Sequence, residues 1–206
     1  MKYIEKGYIF PLPVGKFSEV PITEEDRKTL LDITDYRDNV SNISSKDSYV
    51  LNKTRTLKNT IEECIKEYVK KTYNPKNDIQ FPITQSWVNV TGKDMQHHAH
   101  QHPNSFFSGV FYLKTLDRND RIEFQREDTF SDLFDIENYN GFNSNMQWVN
   151  VEKHDLLLFR SDIIHSVPVN KTTDDRISLS FNTWVSGMLG KESNKTEVIS
   201  AGIENE

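Results

Sequence analysis

The sequence predicts a mostly β fold, a double-stranded β-helix (jelly roll) with N-terminal helices packed on one face in an α+β arrangement. Two features of the chain predict it. Helical patterns occupy part of the first 80 residues, and seven short segments rich in Val, Ile, Phe, Tyr and Trp follow, separated by polar turns. The 206 residues suffice for one domain with a sizeable core.

The chain divides into three parts in this interpretation. Residues 1–80 supply an opening strand and two helices, and residues 81–188 form the jelly-roll core of the same domain. Residues 189–206 contain few large apolar side chains, so we expect a polar C-terminal tail.

Two helices are predicted before the strands. The first covers residues 23–34, where Thr23 is a suitable N-cap and three acidic residues follow in the first turn. The second covers Leu57–Tyr73, because apolar side chains recur there at the spacing of one helix face. Pro and Gly residues interrupt residues 1–20, which is typical of a strand broken by turns.

Seven strands are predicted in the second part of the chain from alternating or continuous apolar patterns. Their ranges are 83–91, 105–114, 121–126, 146–152, 155–160, 164–169 and 176–185. Seven short strands after two helices favour a double-sheet jelly roll.

Composition narrows the possible functions. The formal net charge of -6 argues against general nucleic-acid binding, since neutralising phosphates requires clustered Lys and Arg. The single cysteine, Cys64, excludes an intrachain disulfide and fits a reducing compartment. No apolar run approaches the roughly 18 residues that span a bilayer, and the N-terminus lacks the apolar region of a secretory signal. We therefore expect a cytoplasmic protein without membrane contact.

A histidine cluster is the most informative local feature. Four of the six histidines lie between His97 and His102. On a strand, residues two apart face the same side, so His100 with His102, or His98 with His100, could present two imidazoles to one ion. A third ligand would come from elsewhere, and His165 follows an apolar, strand-like segment. The alternative is a histidine-rich surface loop, or core histidines satisfied by hydrogen bonds.

A second feature is the segment RISLSFNTW, which begins at Arg176. Its polar and apolar residues alternate, which places Arg176 and Ser178 on one face of a strand. If that face looks into the barrel, the buried guanidinium needs an anion, and Arg with Ser could grip a carboxylate. The alternative is a solvent-facing Arg and Ser on an edge strand.

Taken together, the histidine cluster, His165 and the pair of Arg176 and Ser178 resemble the motifs of the Fe(II)- and 2-oxoglutarate-dependent oxygenases. The resemblance covers residues 81–188. Within that superfamily the chain is similar to a small group with a His-x-His-Pro-x-Ser motif followed by Ser-Gly-Val-x-Tyr, here residues 100–105 and 108–112. Prolyl hydroxylases are more distant relatives of the same design. The resemblance implies an enzyme, a dioxygenase with Fe(II) as cofactor and 2-oxoglutarate as cosubstrate.

The resemblance also implies roles for the residues that match, and no catalytic residue beyond them. The implied metal ligands are His100, His102 and His165. The implied cosubstrate residues are Arg176, Ser178, Tyr112, Asn89 and Asn182, of which the first three would hold the distal carboxylate.

The middle metal ligand departs from the commonest set of the superfamily, two histidines and one carboxylate. His102 stands where Asp or Glu usually stands, and its neutral imidazole would leave the iron centre one charge more positive. His98 together with His100, or the carboxylate of Asp162, are the other possibilities.

The implied reaction is hydroxylation of an amino-acid side chain or a related small substrate, with release of succinate and CO2. The partners would be 2-oxoglutarate, O2 and a substrate that is either a small molecule or a polypeptide. Two other functions stay open on the sequence: a cupin-like three-histidine metalloenzyme without 2-oxoglutarate, and a non-catalytic jelly-roll binding module. The pairing of Arg176 with Ser178 argues against the cupin-like enzyme.

Overall fold

The computed structural model describes residue 7 and residues 10–116, 119–126 and 133–200. Residues 1–6 and 8–9 of the predicted opening segment, and residues 201–206 of the predicted tail, lie outside the described part.

Both predicted helices are present. The first, α1, spans Glu24–Leu31 and is shorter than predicted at its C-terminal end, while the Thr23 hydroxyl caps it by accepting a hydrogen bond from the Asp26 backbone N–H. The second, α2, spans Leu57–Thr72, and Tyr73 is its C-terminal cap residue. Its boundaries are therefore confirmed to within one residue.

The carboxylate of Asp26 caps α2 rather than its own helix. It accepts hydrogen bonds from the backbone N–H groups of Arg55, Thr56 and Leu57 at 2.6 to 2.9 Å. These N–H groups have no partner within α2, because the first turn of a helix leaves them free. The side chain thus fixes the start of α2 against α1.

Fourteen strands lie within the described ranges, and all seven predicted strands are among them, each within two residues of the predicted bounds. The strands are β1 (Val14–Phe17), β2 (Tyr36–Asn39), β3 (Asn42–Ser45), β4 (Ile79–Gln80), β5 (Ile83–Thr91), β6 (His97–His100), β7 (Phe107–Lys114), β8 (Arg121–Gln125), β9 (Met146–Asn150), β10 (Leu156–Arg160), β11 (Ile164–Val167), β12 (Arg176–Thr183), β13 (Ser186–Leu189) and β14 (Thr196–Val198).

Two antiparallel sheets form a jelly roll. The major sheet has the strand order β1-β10-β7-β12-β5-β3-β2, and the minor sheet has the order β6-β11-β8-β9. Between β5 and β12 the chain crosses repeatedly from one sheet to the other, which gives the winding of a jelly roll. Strands β2 and β3 extend the major sheet beyond β5. They were not predicted, because their sequences are polar.

Alternate residues of the major sheet face two different apolar clusters. Phe111 of β7 packs in one cluster with Ile61 of α2, whereas its neighbour Tyr112 packs in the other with Ile122 of β8. Gly109 shares the face of Phe111, and a Cβ there would overlap the ring of Phe181. The glycine of the Ser-Gly-Val-x-Tyr motif therefore makes room for an aromatic ring on the neighbouring strand.

A third, small sheet joins β14, β13 and β4 in that order. The boundary predicted at residue 188 falls inside β13, and β14 pairs with β13 although its composition suggested a tail. No helix in the described ranges is long and apolar enough to cross a membrane.

Candidate active site

Three histidines converge between the two sheets. His165 of β11 lies opposite His100 at the end of β6, and opposed residues of an antiparallel pair face the same side. The backbone N–H of His102 donates to the carbonyl oxygen of Ser161 at 2.8 Å, which fixes this residue just beyond the strand. One ligand atom from each histidine lies within 4.8 Å of the others. The structure therefore brings together the three residues that the sequence singled out.

Backbone carbonyls set the tautomer of two of these rings. Nδ1 of His100 lies 2.8 Å from the carbonyl oxygen of His98, and Nδ1 of His165 lies 2.9 Å from that of Ile163. A carbonyl oxygen only accepts, so each Nδ1 carries the proton and each Nε2 keeps a free lone pair. Such second hydrogen bonds are typical of metal-binding histidines.

The three rings are uncharged at neutral pH. Burial, together with the neighbouring imidazoles, lowers the pKa of His165 to about 3 and that of His102 to about 4. Burial also lowers the pKa of His100. Neutral imidazole is the form that binds a metal, and three such nitrogens suit Fe(II), although they also suit zinc, copper or nickel.

The alternative ligands lie elsewhere. Asp162 is exposed and pairs with Arg160. His98 lines an outer cleft and does not belong to the three-histidine group. Within the described ranges, no other group of three metal-ligating side chains occurs.

Arg176, Ser178 and Tyr112 line one inner cavity with the three histidines. Strand β12 lies between β5 and β7, so Arg176 is not on an edge strand, and only 2% of it is exposed. Ser178 stands opposite Tyr112 on β7, and the guanidinium carbon of Arg176 lies 5.0 Å from the centre of the Tyr112 ring.

The hydroxyl of Tyr112 is fully buried beside the Arg176 guanidinium and donates no hydrogen bond to any described residue. Burial raises the pKa of this group to about 12, so the hydroxyl is protonated and remains a donor. A buried donor without a partner costs free energy unless a ligand accepts its hydrogen bond.

Asp120 is the partner of Arg176 that the sequence analysis missed. Its carboxylate lies 2.9 Å from Nη1 of Arg176, and the carbonyl oxygen of Arg121 accepts from the same Nη1 at 3.0 Å. The buried guanidinium therefore does not require an external anion, because the fold supplies one. No sequence signal marks Asp120, which stands in a polar turn before β8.

The two asparagines predicted at the cosubstrate site do not line the inner cavity. The amide of Asn89 accepts from Ser44 at 2.6 Å and donates to Ser180 at 2.9 Å. The amide nitrogen of Asn182 lies 3.3 Å from Nδ1 of His102, and its oxygen accepts from Ser108 at 2.9 Å. Both amides hold neighbouring side chains in position.

Two cavities meet at the histidines. The inner one holds only about 30 Å³, and the outer cleft holds about 360 Å³. Trp87, His97, His100 and His102 line both of them. His100 and His102 therefore stand between a buried, narrow space and a wider one that opens to solvent.

Residues 85–182 match the family model described as "Putative 2OG-Fe(II) oxygenase". Among curated proteins, none matches this sequence.

Several solved structures share the fold at low identity. HygX from Streptomyces hygroscopicus, solved with nickel, 2-oxoglutarate and hygromycin B, is 12% identical with a TM-score of 0.55, covering 84% of this chain and 82% of that chain. A Pseudomonas putida prolyl-4-hydroxylase is 9% identical with a TM-score of 0.52, covering 83% and 92%. An oxidoreductase of the 2OG-Fe(II) oxygenase family from Burkholderia pseudomallei is 10% identical with a TM-score of 0.52, covering 75% and 73%.

The jelly roll, the matched segment and the three-histidine group define the class of this protein, and they support its assignment to the 2-oxoglutarate/Fe(II) oxygenase superfamily. It is an Fe(II)- and 2-oxoglutarate-dependent dioxygenase.

Proposed function

We propose that this dioxygenase hydroxylates a C–H bond of an amino-acid side chain or a related small molecule, with release of succinate and CO2. One observation carries the assignment of the cosubstrate site: the buried Tyr112 hydroxyl, which donates a hydrogen bond to no described residue, lies beside Arg176 in the cavity that also contains the three histidines. A carboxylate at this position would accept from both groups.

His100, His102 and His165 would hold the metal, and Arg176, Ser178 and Tyr112 would hold the distal carboxylate of 2-oxoglutarate. Bound iron supplies the redox chemistry that activates dioxygen and oxidises 2-oxoglutarate to succinate and CO2. The chain itself orients the diacid and excludes water from it, because Arg176, Ser178 and Tyr112 lie at the buried end of the cavity.

The guanidinium is oriented for this role. Asp120 and the carbonyl of Arg121 both bind Nη1, while Nε of Arg176 is buried without a partner among the described residues. The Nε–H of Arg176 therefore remains available to donate a hydrogen bond to a carboxylate. Since the inner cavity holds only about 30 Å³, lining side chains must rotate when a five-carbon diacid enters.

The experiment that tests the proposal is 2-oxoglutarate turnover with Fe(II) and oxygen but no added substrate, followed as succinate. We expect slow succinate formation that disappears in His165→Ala, and loss of 2-oxoglutarate binding in Arg176→Ala. Failure of the iron-loaded wild type both to bind 2-oxoglutarate and to form succinate would overturn it.

We further propose that the natural substrate is either a small molecule or a polypeptide. We also propose that the protein is cytoplasmic. The single cysteine supports the location, because it fits a reducing compartment.

A further inference from the structure

The outer cleft beside the histidines has an unusual chemical composition for a ligand pocket, since such pockets are mostly apolar. Apart from four histidines and Gln101, it is lined by Arg37, Asn39, Ser44, Ser48, Gln85 and Trp87. This described lining contains one cation, several hydrogen-bonding groups, no carboxylate and no aliphatic side chain. The cleft is therefore suited to a polar ligand.

Arg37 lies on the same face of the major sheet as Ser178 and Tyr112, two of the residues that would hold 2-oxoglutarate. Across the sheet, Arg37 stands opposite Ser44, Ser44 opposite Asn89, Asn89 opposite Ser178, and Ser178 opposite Tyr112. Opposed residues face the same side, so these five form one row. The row begins at the exposed Arg37 and ends at the buried Tyr112.

Two neutral members of the cleft wall, Asn39 and Ser44, are already hydrogen-bonded. Asn39 donates to Ser44 at 3.0 Å, Ser44 donates to Asn89 at 2.6 Å, and Asn89 donates to Ser180 at 2.9 Å. These bonds hold the β2–β3 hairpin onto β5 and make the wall rigid.

Arg37 differs from them, because its side chain is exposed and forms no hydrogen bond or ion pair with any described residue. It is also the only cation among the described lining residues. An unpaired guanidinium on a rigid wall can pair with an anionic group of a ligand.

We propose that the primary substrate is a small polar acid, of a size that the cleft of about 360 Å³ can hold, whose anionic group pairs with Arg37 while its reacting carbon lies toward the three histidines. The inference rests on the proposed function, since it treats the outer cleft as the substrate site. A cationic substrate would meet Arg37 without a carboxylate to balance its charge. A hydrocarbon would displace water from Arg37 without replacing the hydrogen bonds of its guanidinium. Trp87, which also lines the cleft, provides apolar surface for the carbon skeleton of the acid.

The test compares three sets of probes built on the same side chains: N-acetyl-L-amino acids, which are anions, their neutral amides, and the cationic amides without the acetyl group. Binding is measured by calorimetry to protein loaded with Ni(II) and 2-oxoglutarate, which does not turn over. We expect at least one acid to bind at millimolar concentration or below, and its amide to bind about tenfold more weakly. Arg37→Gln should remove that difference, and Arg37→Lys should restore part of it.

Arg55→Gln is the matched control, because Arg55 is an exposed arginine that pairs with Glu25 outside the cleft. It should keep the preference for the acid. The inference is overturned if neutral or cationic probes bind as well as the acids, if Arg37→Gln leaves acid binding unchanged, or if no acid binds at about 10 mM, a concentration far above typical affinities. Succinate formation by the wild type in the same buffer separates this failure from a failure of the proposed function.

Discussion

The guanidinium of Arg176 and the carboxylate of Asp120 form an ion pair at 2.9 Å whose side chains are 3% and 2% exposed. Asp120 is held in turn by the backbone N–H of Leu116 at 3.1 Å. Asp120 pairs with Nη1 of the guanidinium, and Nε has no partner among the described residues. Asp120 therefore determines which edge of the guanidinium is presented to a ligand.

Asp120→Asn should lower the free energy of unfolding by roughly 3 kcal/mol, because a buried charge loses its counter-charge. It should also weaken 2-oxoglutarate binding, because Arg176 is no longer fixed. Urea denaturation and calorimetry measure the two effects.

Asp162→Asn is the control for Asp120→Asn. Asp162 also pairs with an arginine, Arg160, but both side chains are substantially exposed, at 60% and 43%. The expected cost is at most about 1 kcal/mol, since exposed pairs contribute little. Equal costs for the two variants would contradict a structural role for the buried pair.

Asp120 also bears on the missing carboxylate of the metal set. In the commonest set, a carboxylate ligand sits on the metal, whereas here His102 is neutral and the carboxylate stands beside Arg176. Asp120 would therefore supply a negative charge to the site through its pair with Arg176.

Tyr112→Phe should separate stability from cosubstrate binding. Without a ligand, the buried Tyr112 hydroxyl donates to no described residue, so removing it should leave the free energy of unfolding unchanged or raise it. With 2-oxoglutarate, the same change removes a hydrogen bond to a charged group, and affinity should fall about tenfold or more. Thermal melts with and without 2-oxoglutarate measure both. A lower melting temperature without ligand, combined with unchanged affinity, would show that the hydroxyl is structural.

The sequence predicted the strands of the core because their apolar residues alternate or run continuously, and burial depends directly on that pattern. It did not predict β2 and β3. In β3, Ser44 and Ser45 are buried although they are polar, and hydrogen bonds such as that from Ser44 to Asn89 make their burial possible. Periodicity in apolar residues cannot reveal a strand whose buried side is polar.

The candidate site was also predicted only in part. Histidines are rare enough for their spacing to be informative, and His100, His102 and His165 do converge. Asp120 was missed because an aspartate before a strand is common, and its partner lies on a distant strand. Asn182 was expected at the cosubstrate and instead contacts His102. Tertiary pairings of this kind leave no local pattern.

The metal set can be tested by comparing His102→Ala with His98→Ala. His102 belongs to the group of three, whereas His98 lines the outer cleft. Titration with Ni(II) in competition with a chelator should show affinity falling by about 100-fold in His102→Ala, since a ligand is removed, and by only a few-fold in His98→Ala. The reverse ranking would assign the ligand position to His98.

Asp26 should make the fold sensitive to acid. Burial raises the pKa of this carboxyl, but the hydrogen bonds from Arg55, Thr56 and Leu57 outweigh burial and lower it from 3.8 to about 2. Because the folded-state pKa is the lower one, the stabilisation is present at neutral pH and is lost as the pH falls from about 4 to about 2.

Asp26→Ala should lower the free energy of unfolding at pH 7 by roughly 2 kcal/mol, since three backbone N–H groups at the start of α2 lose a charged acceptor. The difference from the wild type should shrink toward pH 2, where the wild-type carboxyl is itself protonated. Asp35→Ala is the control, because Asp35 forms only an exposed pair with Lys46. Urea denaturation of the three proteins across this pH range measures the effect, and a difference that stays constant with pH would show that the charge of Asp26 is not what stabilises α2.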